Sequence, residues 1–297
     1  MKYSIITINY NNRDGLLNTI ESVIKQTFKD FEFIVIDGGS TDGSVDVIKN
    51  YQHNITYWVS EKDDGIYNAM NKGVNAAHGE YLSFMNSGDM MYDSKVLEKS
   101  LPYLHADFVH GIAENLYSPV ATLCLIEVPN RKELFSPTLH HQACLFRKSL
   151  FYNTMYDEHY RIVSDWKFYI EQLLIYNCSF CRMPVKVAMC EGGGLSEKAM
   201  ELGIKERIDV LEKMVKVLKE RNTYKRQECL MLHLMFTCKQ RLLIDKSIRD
   251  IDRYINTFPE ANNYYKYYPF SRKQRLLFYL AEKRMTSLLK VITKLWN

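Results

Sequence analysis

The sequence predicts an α/β fold in which a mostly parallel central sheet is flanked by helices and followed by a helical extension. Two observations predict this class. The first two-thirds of the chain alternates short apolar runs with segments of helical periodicity, the order expected of a parallel sheet. All 13 glycines lie at or before Gly203, and the sequence beyond it is rich in helix-forming residues. We therefore expect a main domain over residues 1–200 and a helical extension over residues 201–297.

The predicted strands are three near-continuous apolar runs, at residues 3–8, 31–36 and 81–85. Such runs are typical of strands buried on both faces of a parallel sheet. Between the first two, apolar residues recur at helical spacing: Leu16, Leu17, Ile20, Val23 and Ile24. Further helices are predicted from Thr41 or Asp42 onward and near residues 67–77. This βαβα order predicts right-handed crossovers, with ligands beyond the C-terminal ends of the strands.

The extension is predicted to form helices near residues 201–220, 225–243 and 272–295. The last has an apolar stripe opposite a basic face, and residues 270–297 carry seven basic residues against Glu282 alone, a net charge of +6. Such a helix can lie in a membrane interface. It can equally pack on the main domain with a solvated charged face, because amphipathicity does not separate the two arrangements.

Composition excludes several classes of protein. The net charge of +4 is too mild for dedicated nucleic-acid binding, and no run approaches the ~18–20 apolar residues of a membrane span. The seven cysteines are scattered and odd in number, so free thiols in a reducing cytosol are expected. Cys178 and Cys181 form a lone C-x-x-C, which favours two apolar residues beside a strand over a metal or redox role.

Polar segments directly follow two of the predicted strands. After residues 31–36 comes Asp37 with a glycine-rich turn, and a carboxylate there can accept bonds from a base or a ribose. After residues 81–85 comes a turn that ends in Asp89, whose carboxylate can bind Mg²⁺ or Mn²⁺. Taken alone, each segment is equally compatible with an ordinary turn.

The order and spacing of the segments favour one interpretation. Five segments resemble, in sequence, the inverting glycosyltransferases of family 2, which have the Rossmann-like GT-A fold: residues 4–11, 22–26, 32–43, 64–79 and 86–89. The resemblance covers roughly the first two-thirds of the chain. It implies a catalytic domain that transfers a sugar from a nucleotide diphosphate carrier to an acceptor hydroxyl. UDP is the carrier that family frequency favours.

The resemblance also assigns roles to individual residues. It implies that six side chains lie against the nucleotide sugar: Asn9, Tyr10, Asp37, Asp64, Asn71 and Lys72. The first three would hold the base and the ribose, and the other three belong to a segment that lies against the donor. For Lys72, a solvated lysine on a helix face remains the alternative.

Asp89 resembles the metal-binding carboxylate of the family's D-x-D element, which implies Mn²⁺ or Mg²⁺ as the cofactor. Asn86 departs from the pattern, because many members have an acidic residue there. An amide oxygen still ligates a hard cation but brings less charge, so weaker metal binding is expected. The N-x-G-D form also occurs in a polysaccharide-assembly branch of the family, so the departure does not indicate inactivation.

Residues 139–147 and 162–166 resemble the acceptor side in that branch. There a carboxylate at the position of Asp165 serves as the general base, which inversion requires on the face opposite the leaving group. A helix N-cap is the local alternative for Asp165. His140 and His141 are candidates for contact with the acceptor or the diphosphate, and a purely structural role is the alternative for both.

The implied partners are a nucleotide sugar donor and a saccharide or lipid-linked saccharide acceptor. A cytoplasmic protein is expected, with peripheral contact to the inner face of the membrane through the C-terminal helix.

The glycine-rich run at residues 191–196 is either a flap over the donor or a hinge between domains. A nucleotidyltransferase would carry a glycine-rich phosphate loop with Lys-Ser or Lys-Thr, and none occurs. A non-catalytic module that binds nucleotide sugars is the alternative that Asn86 motivates.

Overall fold

The computed structural model describes residues 1–115, 140–192, 194 and 199–220. The chain forms two compact units, Met1–Ala199 and Met200–Asn297. The first unit contains the sheet, and the described part of the second is one helix, Met200–Glu220. Within these ranges, no helix combines the length and the apolar character that a membrane crossing requires.

The described strands of the first unit form one eight-stranded sheet. In chain order they are β1 (Tyr3–Asn9), β2 (Phe31–Asp37), β3 (Tyr57–Ser60), β4 (Tyr81–Phe84), β5 (Met90–Met91), β6 (Phe108–Asn115), β7 (Cys144–Arg147) and β8 (Phe180–Cys190). Their spatial order is β3-β2-β1-β4-β7-β6-β8-β5. The three strands predicted from apolar runs are β1, β2 and β4, and they lie side by side.

The sheet is mixed in direction. Strands β3, β2, β1 and β4 are parallel throughout, as the alternating pattern predicts. Beyond β4, strand β7 runs antiparallel to both β4 and β6, and β5 runs antiparallel to β8, whereas β6 and β8 are parallel. Four of the seven pairings between the described strands are parallel, so the expectation of a mostly parallel sheet is confirmed, and the antiparallel pairings all lie beyond β4. An apolar run marks a buried strand but not its direction, which depends on the connection.

The described helices are α1 (Arg13–Ile24), α2 (Ser44–Asn50), α3 (Ile66–Ala76), α4 (Val96–Ser100), α5 (Ser164–Ile170) and α6 (Met200–Glu220). Shorter 3₁₀ turns cover Gln52–Asn54, Leu101–Tyr103, His141–Ala143 and Lys148–Phe151, and a π-helical turn covers Glu171–Ile175. Helix α2 begins at Ser44 rather than at Thr41 or Asp42. The reason is that Asp42 Oδ1 accepts hydrogen bonds from both the Ser44 N–H and its hydroxyl, which places Asp42 ahead of the first turn.

Helices α1 and α3 pack on the parallel half of the sheet. Asn12 precedes α1, and its Oδ1 accepts a hydrogen bond from the Gly15 N–H at 3.3 Å. Helix α1 buries Leu16, Ile20 and Val23 against the core. Helix α3 approaches β1 so closely at Gly73 that a Cβ there would overlap the Cγ2 of Ile6. Only glycine permits this approach, which brings the polar side chains of α3 close to the end of β1.

Aromatic rings hold α5 against the middle of the sheet. Phe168 of α5 stacks on Phe151 with centroids 4.4 Å apart, and Tyr169 stacks on Phe146 of β7 at 5.5 Å. Both rings of α5 are buried, and each stacked pair stabilises the fold by about 0.5–1.5 kcal/mol beyond its burial. The first turn of α5, which contains Asp165, is therefore anchored on a rigid support.

Several predicted features lie outside the described residues. They include the helices near residues 225–243 and 272–295, the basic segment 270–297 and part of the run 191–196.

The cysteines that are described are free thiols, namely Cys144, Cys178, Cys181 and Cys190. Burial raises the pKa of Cys178 to about 12, so this thiol stays protonated at neutral pH.

Candidate active site

The candidate site lies at the carboxyl ends of β1, β2 and β4. In the register of the sheet, Asn9 at the end of β1 pairs with Asp37 at the end of β2. On the other side, β1 pairs with β4, and the Ser87 N–H donates to Ile8 O at 3.0 Å beyond the end of β4. Ligands of parallel α/β sheets bind at this edge.

Asp37 is a fully buried carboxylate with protein donors on both oxygens. Oδ1 accepts from Asn9 Nδ2 at 2.7 Å and from the Ser40 hydroxyl at 2.6 Å. Oδ2 accepts from the Ser60 hydroxyl at 2.6 Å and from the Ser40 N–H at 2.9 Å. Burial alone would raise the pKa of Asp37, but these hydrogen bonds outweigh it and hold the pKa below its usual range. The carboxylate is therefore charged at neutral pH and fixes the side chains around it.

Asn9 presents an unused acceptor beside this carboxylate. Its Nδ2 faces Asp37, so the orientation of the amide is fixed by charge, and its buried Oδ1 has no hydrogen-bond partner among the described residues. Tyr10 is 68% exposed, and its ring lies 3.2 Å from the point where a Cβ of Gly38 would be. A flat, exposed ring next to a buried acceptor suits a heteroaromatic base with a ring N–H.

The residues predicted to lie against the donor are spread along the start of α3. Lys72 Nζ bonds to Asp63 Oδ1 at 2.7 Å and to Glu61 Oε1 at 2.6 Å, and both carboxylates raise the pKa of the lysine. Asp64 is exposed just before the helix, and its N–H donates to Asn68 Oδ1 at 3.3 Å. Lys72 therefore neutralises neighbouring acidic groups, and contact of Lys72 or Asp64 with a donor stays a prediction.

Asn71 faces the segment that leads to α5. Its Nδ2 donates to Tyr156 O at 2.9 Å and to Glu158 Oε1 at 2.7 Å, while its Oδ1 accepts from the Tyr156 N–H at 3.0 Å. Only 7% of Asn71 is exposed to solvent. Asn71 therefore joins α3 to residues 156–158 by hydrogen bonds. Its contact with the donor stays a prediction.

The turn at residues 86–89 is held in place by α1 and the loop before it. The Thr19 hydroxyl donates to Asp89 O at 2.6 Å and accepts from the Gly88 N–H at 3.1 Å, and Asn12 Nδ2 donates to Ser87 O at 3.1 Å. The Asp89 carboxylate is 7% exposed and accepts from Gln142 Nε2 at 2.8 Å. Burial raises the pKa of Asp89 above its usual range, and the bond from Gln142 only partly opposes this.

The oxygens around Asp89 suit a hard divalent cation. Among the described residues, no three His, Cys, Asp or Glu side chains are grouped so as to hold a metal ion, so any cation here would use amide oxygens as well. Two are at hand, because the buried Asn86 Oδ1 and Gln142 Oε1 lack hydrogen-bond partners in the described structure. Carboxylate and amide oxygens are the ligands that Mg²⁺ and Mn²⁺ accept, with coordination positions left for phosphate and water.

Asp165, in the first turn of α5, is a largely buried carboxylate, 18% exposed, with three donors. Oδ2 lies 3.1 Å from His141 Nδ1, and Oδ1 accepts from the Trp166 N–H at 2.7 Å and the Tyr67 hydroxyl at 3.0 Å. Burial alone would raise the pKa of Asp165, but these bonds, led by that from His141, hold it below its usual range. Asp165 is therefore ionised at neutral pH.

His141 joins Asp165 to the turn at residues 86–89. Its Nε2 lies 2.9 Å from Asn86 Nδ2, and its Nδ1 faces Asp165 Oδ2. With the amide oriented in this way, Nε2 accepts and Nδ1 carries the proton that is donated to Asp165. His140 precedes this 3₁₀ turn, and its carbonyl oxygen accepts from the Ala143 N–H at 3.0 Å. His141 therefore lies between the two carboxylate-bearing segments.

Four side chains of this edge were given no individual role by the sequence: Tyr67, Gln142, Glu158 and Glu191. Gln142 directly follows His141 and could have been found from that segment. Tyr67 lies inside a predicted helix, where a buried aromatic residue is usually only core. Glu191 lies at the end of β8, and only the tertiary fold brings it to Asp89, whose Oδ1 accepts from the Glu191 N–H at 3.2 Å.

Residues 4–119 match the family model described as glycosyl transferase family 2. A PGL/p-HBAD biosynthesis glycosyltransferase of Mycobacterium bovis is 30% identical over 177 residues, which span 57% of this chain and 68% of that protein. The chain belongs to glycosyl transferase family 2. This family 2 glycosyltransferase is also similar to the putative teichuronic acid biosynthesis glycosyltransferase TuaG of Bacillus subtilis, at 36% identity over 104 residues. That match spans 34% of this chain and 41% of TuaG.

Solved structures share the fold of this glycosyltransferase. Residues 1–349 of S. aureus TarS in complex with UDP-GlcNAc align with a TM-score of 0.72 at 15% identity, over 100% of this chain and 91% of that one. A longer TarS chain is covered over 55% of its length. The mannosyltransferase PcManGT of Pyrobaculum calidifontis, in complex with GDP-Man and Mn²⁺, aligns with a TM-score of 0.54 at 12% identity, over 98% of this chain and 85% of that one. The predicted family and GT-A fold are confirmed.

Proposed function

We propose that this glycosyltransferase moves a sugar from a UDP-linked donor to an acceptor hydroxyl with inversion, using Asp165 as the general base. The observation that carries the proposal is the hydrogen-bonded connection from Asn86 through His141 to Asp165. It connects an ionised carboxylate to the turn at residues 86–89, which has the oxygen ligands for a cation. An acid–base group and a diphosphate-binding group side by side are what a single displacement needs.

In this mechanism, Asp165 removes the proton of the acceptor hydroxyl. The acceptor oxygen then attacks the anomeric carbon, and UDP departs with inversion in one step. A carboxylate offers about four lone-pair directions, and described residues occupy three at Asp165, which leaves one for the acceptor. His141 and Tyr67 hold the carboxylate in a fixed orientation, so little reorganisation is needed during the reaction.

Asp89 is proposed to hold a divalent cation together with the oxygens of Asn86 and Gln142. When bound, Mn²⁺ or Mg²⁺ would neutralise the negative charge that develops on the departing diphosphate. The burial of Asp89 supports this assignment, because its hydrogen bonds, unlike those of Asp37, do not offset burial, and a nearby positive charge would stabilise its charged form. The Mn²⁺ in PcManGT is a property of that protein and is consistent with the proposal.

The donor is proposed to be a UDP-sugar, with Asn9, Tyr10 and Asp37 around its base and ribose. The buried Asn9 Oδ1 needs a donor, and the ring N–H of uracil supplies one. The UDP-GlcNAc complex of TarS, which has the same fold, makes this sugar nucleotide a reasonable first probe. Asp64 and Lys72 are proposed to lie at the entrance to the same site.

The acceptor is proposed to be a saccharide or lipid-linked saccharide in the assembly of a bacterial surface polysaccharide or glycolipid. Support comes from the named roles of the relatives in PGL/p-HBAD and teichuronic acid biosynthesis. The basic segment at residues 270–297 is proposed to contact the inner face of the cytoplasmic membrane, where such acceptors are assembled.

The test is the substitution Asp165→Asn. We expect the release of UDP from UDP-GlcNAc, with Mn²⁺ and a saccharide acceptor extract, to fall by at least about 100-fold, because a neutral amide cannot take a proton. Binding of UDP measured by calorimetry should be unchanged. Asp157→Asn is the matched control: Asp157 is a more exposed carboxylate 3.6 Å from Lys167 in the segment before α5, and its loss should leave turnover intact.

Two results would overturn the assignment. Full turnover in the Asp165→Asn enzyme would remove Asp165 as the base. Binding of UDP without any turnover in the unmodified enzyme, across a panel of UDP-, GDP- and dTDP-sugars, would favour the non-catalytic module instead.

A further inference from the structure

Glu191 meets the turn at residues 86–89 through both its main chain and its side chain. Its N–H donates to Asp89 Oδ1 at 3.2 Å. Its carboxylate covers Gly88, where a Cβ would overlap Glu191 Oε2 and lie 3.1 Å from Cδ. Gly88 has a φ of +98°, a conformation that favours glycine, and its lack of a side chain leaves the space that the carboxylate occupies. The residue after β8 is therefore part of the same local structure as Asp89.

This arrangement brings two carboxylates together without a lysine or arginine partner among the described residues. Neither Asp89 nor Glu191 forms an ion pair with a lysine or arginine of the described residues, and Asp89 is almost completely buried. Like charges placed together in a desolvated turn destabilise the folded state. The neutral oxygens Asn86 Oδ1 and Gln142 Oε1 at this turn also lack partners among the described residues. Two carboxylates without a lysine or arginine partner and two amide oxygens without a hydrogen-bond donor therefore lie at this turn, and all four groups are oxygen ligands that a hard cation accepts.

We propose that Glu191 is a second carboxylate ligand of the divalent cation and supplies the negative charge that Asn86 does not. The proposal rests on the proposed function, in which a cation is bound at Asp89. A carboxylate at the end of β8 compensates for the neutral side chain at the end of β4, so the net charge of the ligand set is that of two carboxylates. The cation then connects the strand β8 to the turn after β4.

The test measures Mn²⁺ binding directly, from the loss of the free Mn²⁺ electron paramagnetic resonance signal during titration in the presence of UDP. We expect Glu191→Gln to weaken Mn²⁺ binding by at least about tenfold, the size of effect that loss of a supporting group has at a metal site. UDP binding without metal should not change. Glu98→Gln removes the same charge from an exposed position in α4, where its Oε2 accepts from the Thr27 hydroxyl beyond the C-terminal end of α1, and should bind Mn²⁺ normally.

A second variant moves the carboxylate from position 191 to position 86. The double substitution Asn86→Asp with Glu191→Gln restores the number of carboxylates, so we expect Mn²⁺ affinity to return to within a few-fold of the unmodified enzyme. Circular dichroism and thermal unfolding in the absence of metal report whether each variant is folded. Glu191→Asp, which keeps the charge on a shorter side chain, should bind Mn²⁺ more tightly than Glu191→Gln and serves if the glutamine variant does not fold.

The outcomes separate this inference from the proposed function. If the unmodified enzyme binds Mn²⁺ with UDP and Glu191→Gln binds it equally well, the role of Glu191 is refuted while the cation at Asp89 stands. If Asp89→Asn also binds Mn²⁺ normally, or if the unmodified enzyme binds none, both the cation site and the role of Glu191 are refuted. Weakened binding in Glu191→Gln, with rescue by Asn86→Asp, supports the proposal.

Discussion

At the scale of single residues, the charge of Asp165 depends on its hydrogen-bond donors. The side chain is largely buried, a setting that usually raises the pKa of a carboxyl group, yet donors from three different elements reverse the direction. One of these donors is Tyr67, whose hydroxyl lies 3.0 Å from Asp165 Oδ1 and 2.8 Å from Ile162 O. Burial and the nearby Asp165 charge raise the pKa of Tyr67 well above its usual value, so the hydroxyl remains a donor.

The substitution Tyr67→Phe tests this dependence. Removing a donor that lowers the pKa of Asp165 should raise that pKa, so the acid limb of the pH profile of kcat/KM should move to higher pH. The activity lost is that at acidic pH, where Asp165 becomes protonated, and the rate at neutral pH should change less. The measurement is donor turnover between about pH 4 and pH 8, the range in which carboxyl groups and histidine titrate.

Tyr156→Phe provides the matched control. The hydroxyl of Tyr156 is buried in the same region but has no hydrogen-bond partner among the described residues, so its removal should leave the acid limb in place. An identical shift in both variants, or no shift in Tyr67→Phe, would show that Tyr67 does not set the pKa of Asp165.

At the scale of secondary structure, local pattern predicts the elements that carry the nucleotide side of the site. The apolar runs located β1, β2 and β4, and the resemblance to family 2 then assigned roles to Asn9, Asp37 and Asp89 at or just beyond their ends. The antiparallel strand β7 was not predicted, because Cys144–Arg147 is only four residues long and its apolar run has no direction. Glu191 was missed for a related reason: its role depends on the pairing of β8 with β5, which brings distant segments together.

Helix α3 offers a test of how element packing supports the site. Gly73 contacts β1 so closely that Gly73→Ala would force its Cβ into Ile6, a side chain with no exposed surface. We expect the free energy of unfolding to fall by about 1–3 kcal/mol, the usual cost of overpacking a core. Because Tyr67 and Asn71 belong to the same helix, turnover should also fall. Urea denaturation measures the first effect and UDP release the second.

Asn75→Ala is the control on the same helix. Asn75 is exposed, so alanine there should change the free energy of unfolding by no more than about 0.5 kcal/mol. If Gly73→Ala were as stable and as active as Asn75→Ala, close packing of α3 on β1 would not be required for the site.

At the scale of the whole molecule, the two halves of the sheet divide the proposed chemistry. The parallel half ends in Asn9, Asp37 and the turn at residues 86–89, which are proposed for the donor. The 3₁₀ turn His141–Ala143 leads directly into β7, and through His141 and Gln142 it contacts both Asp165 and Asp89. Since the two groups of residues are separated along the chain, ligands that join them should stabilise the folded unit as a whole.

Thermal unfolding measures this stabilisation. A ligand that binds only the folded state adds about 2.7 kcal/mol at a concentration of 100 times its Kd. For a unit of this size, each kcal/mol raises the Tm by about 2–4 °C, so UDP-GlcNAc with Mn²⁺ should raise it by about 5–10 °C. EDTA should reverse most of this shift, because the diphosphate is proposed to reach Asp89 through the cation.

ADP with Mn²⁺ should give a smaller shift than UDP with Mn²⁺, since adenine has no ring N–H on its pairing edge to donate to the buried Asn9 Oδ1. Equal shifts for ADP and UDP would contradict the role of Asn9, and a shift that EDTA leaves unchanged would contradict the cation.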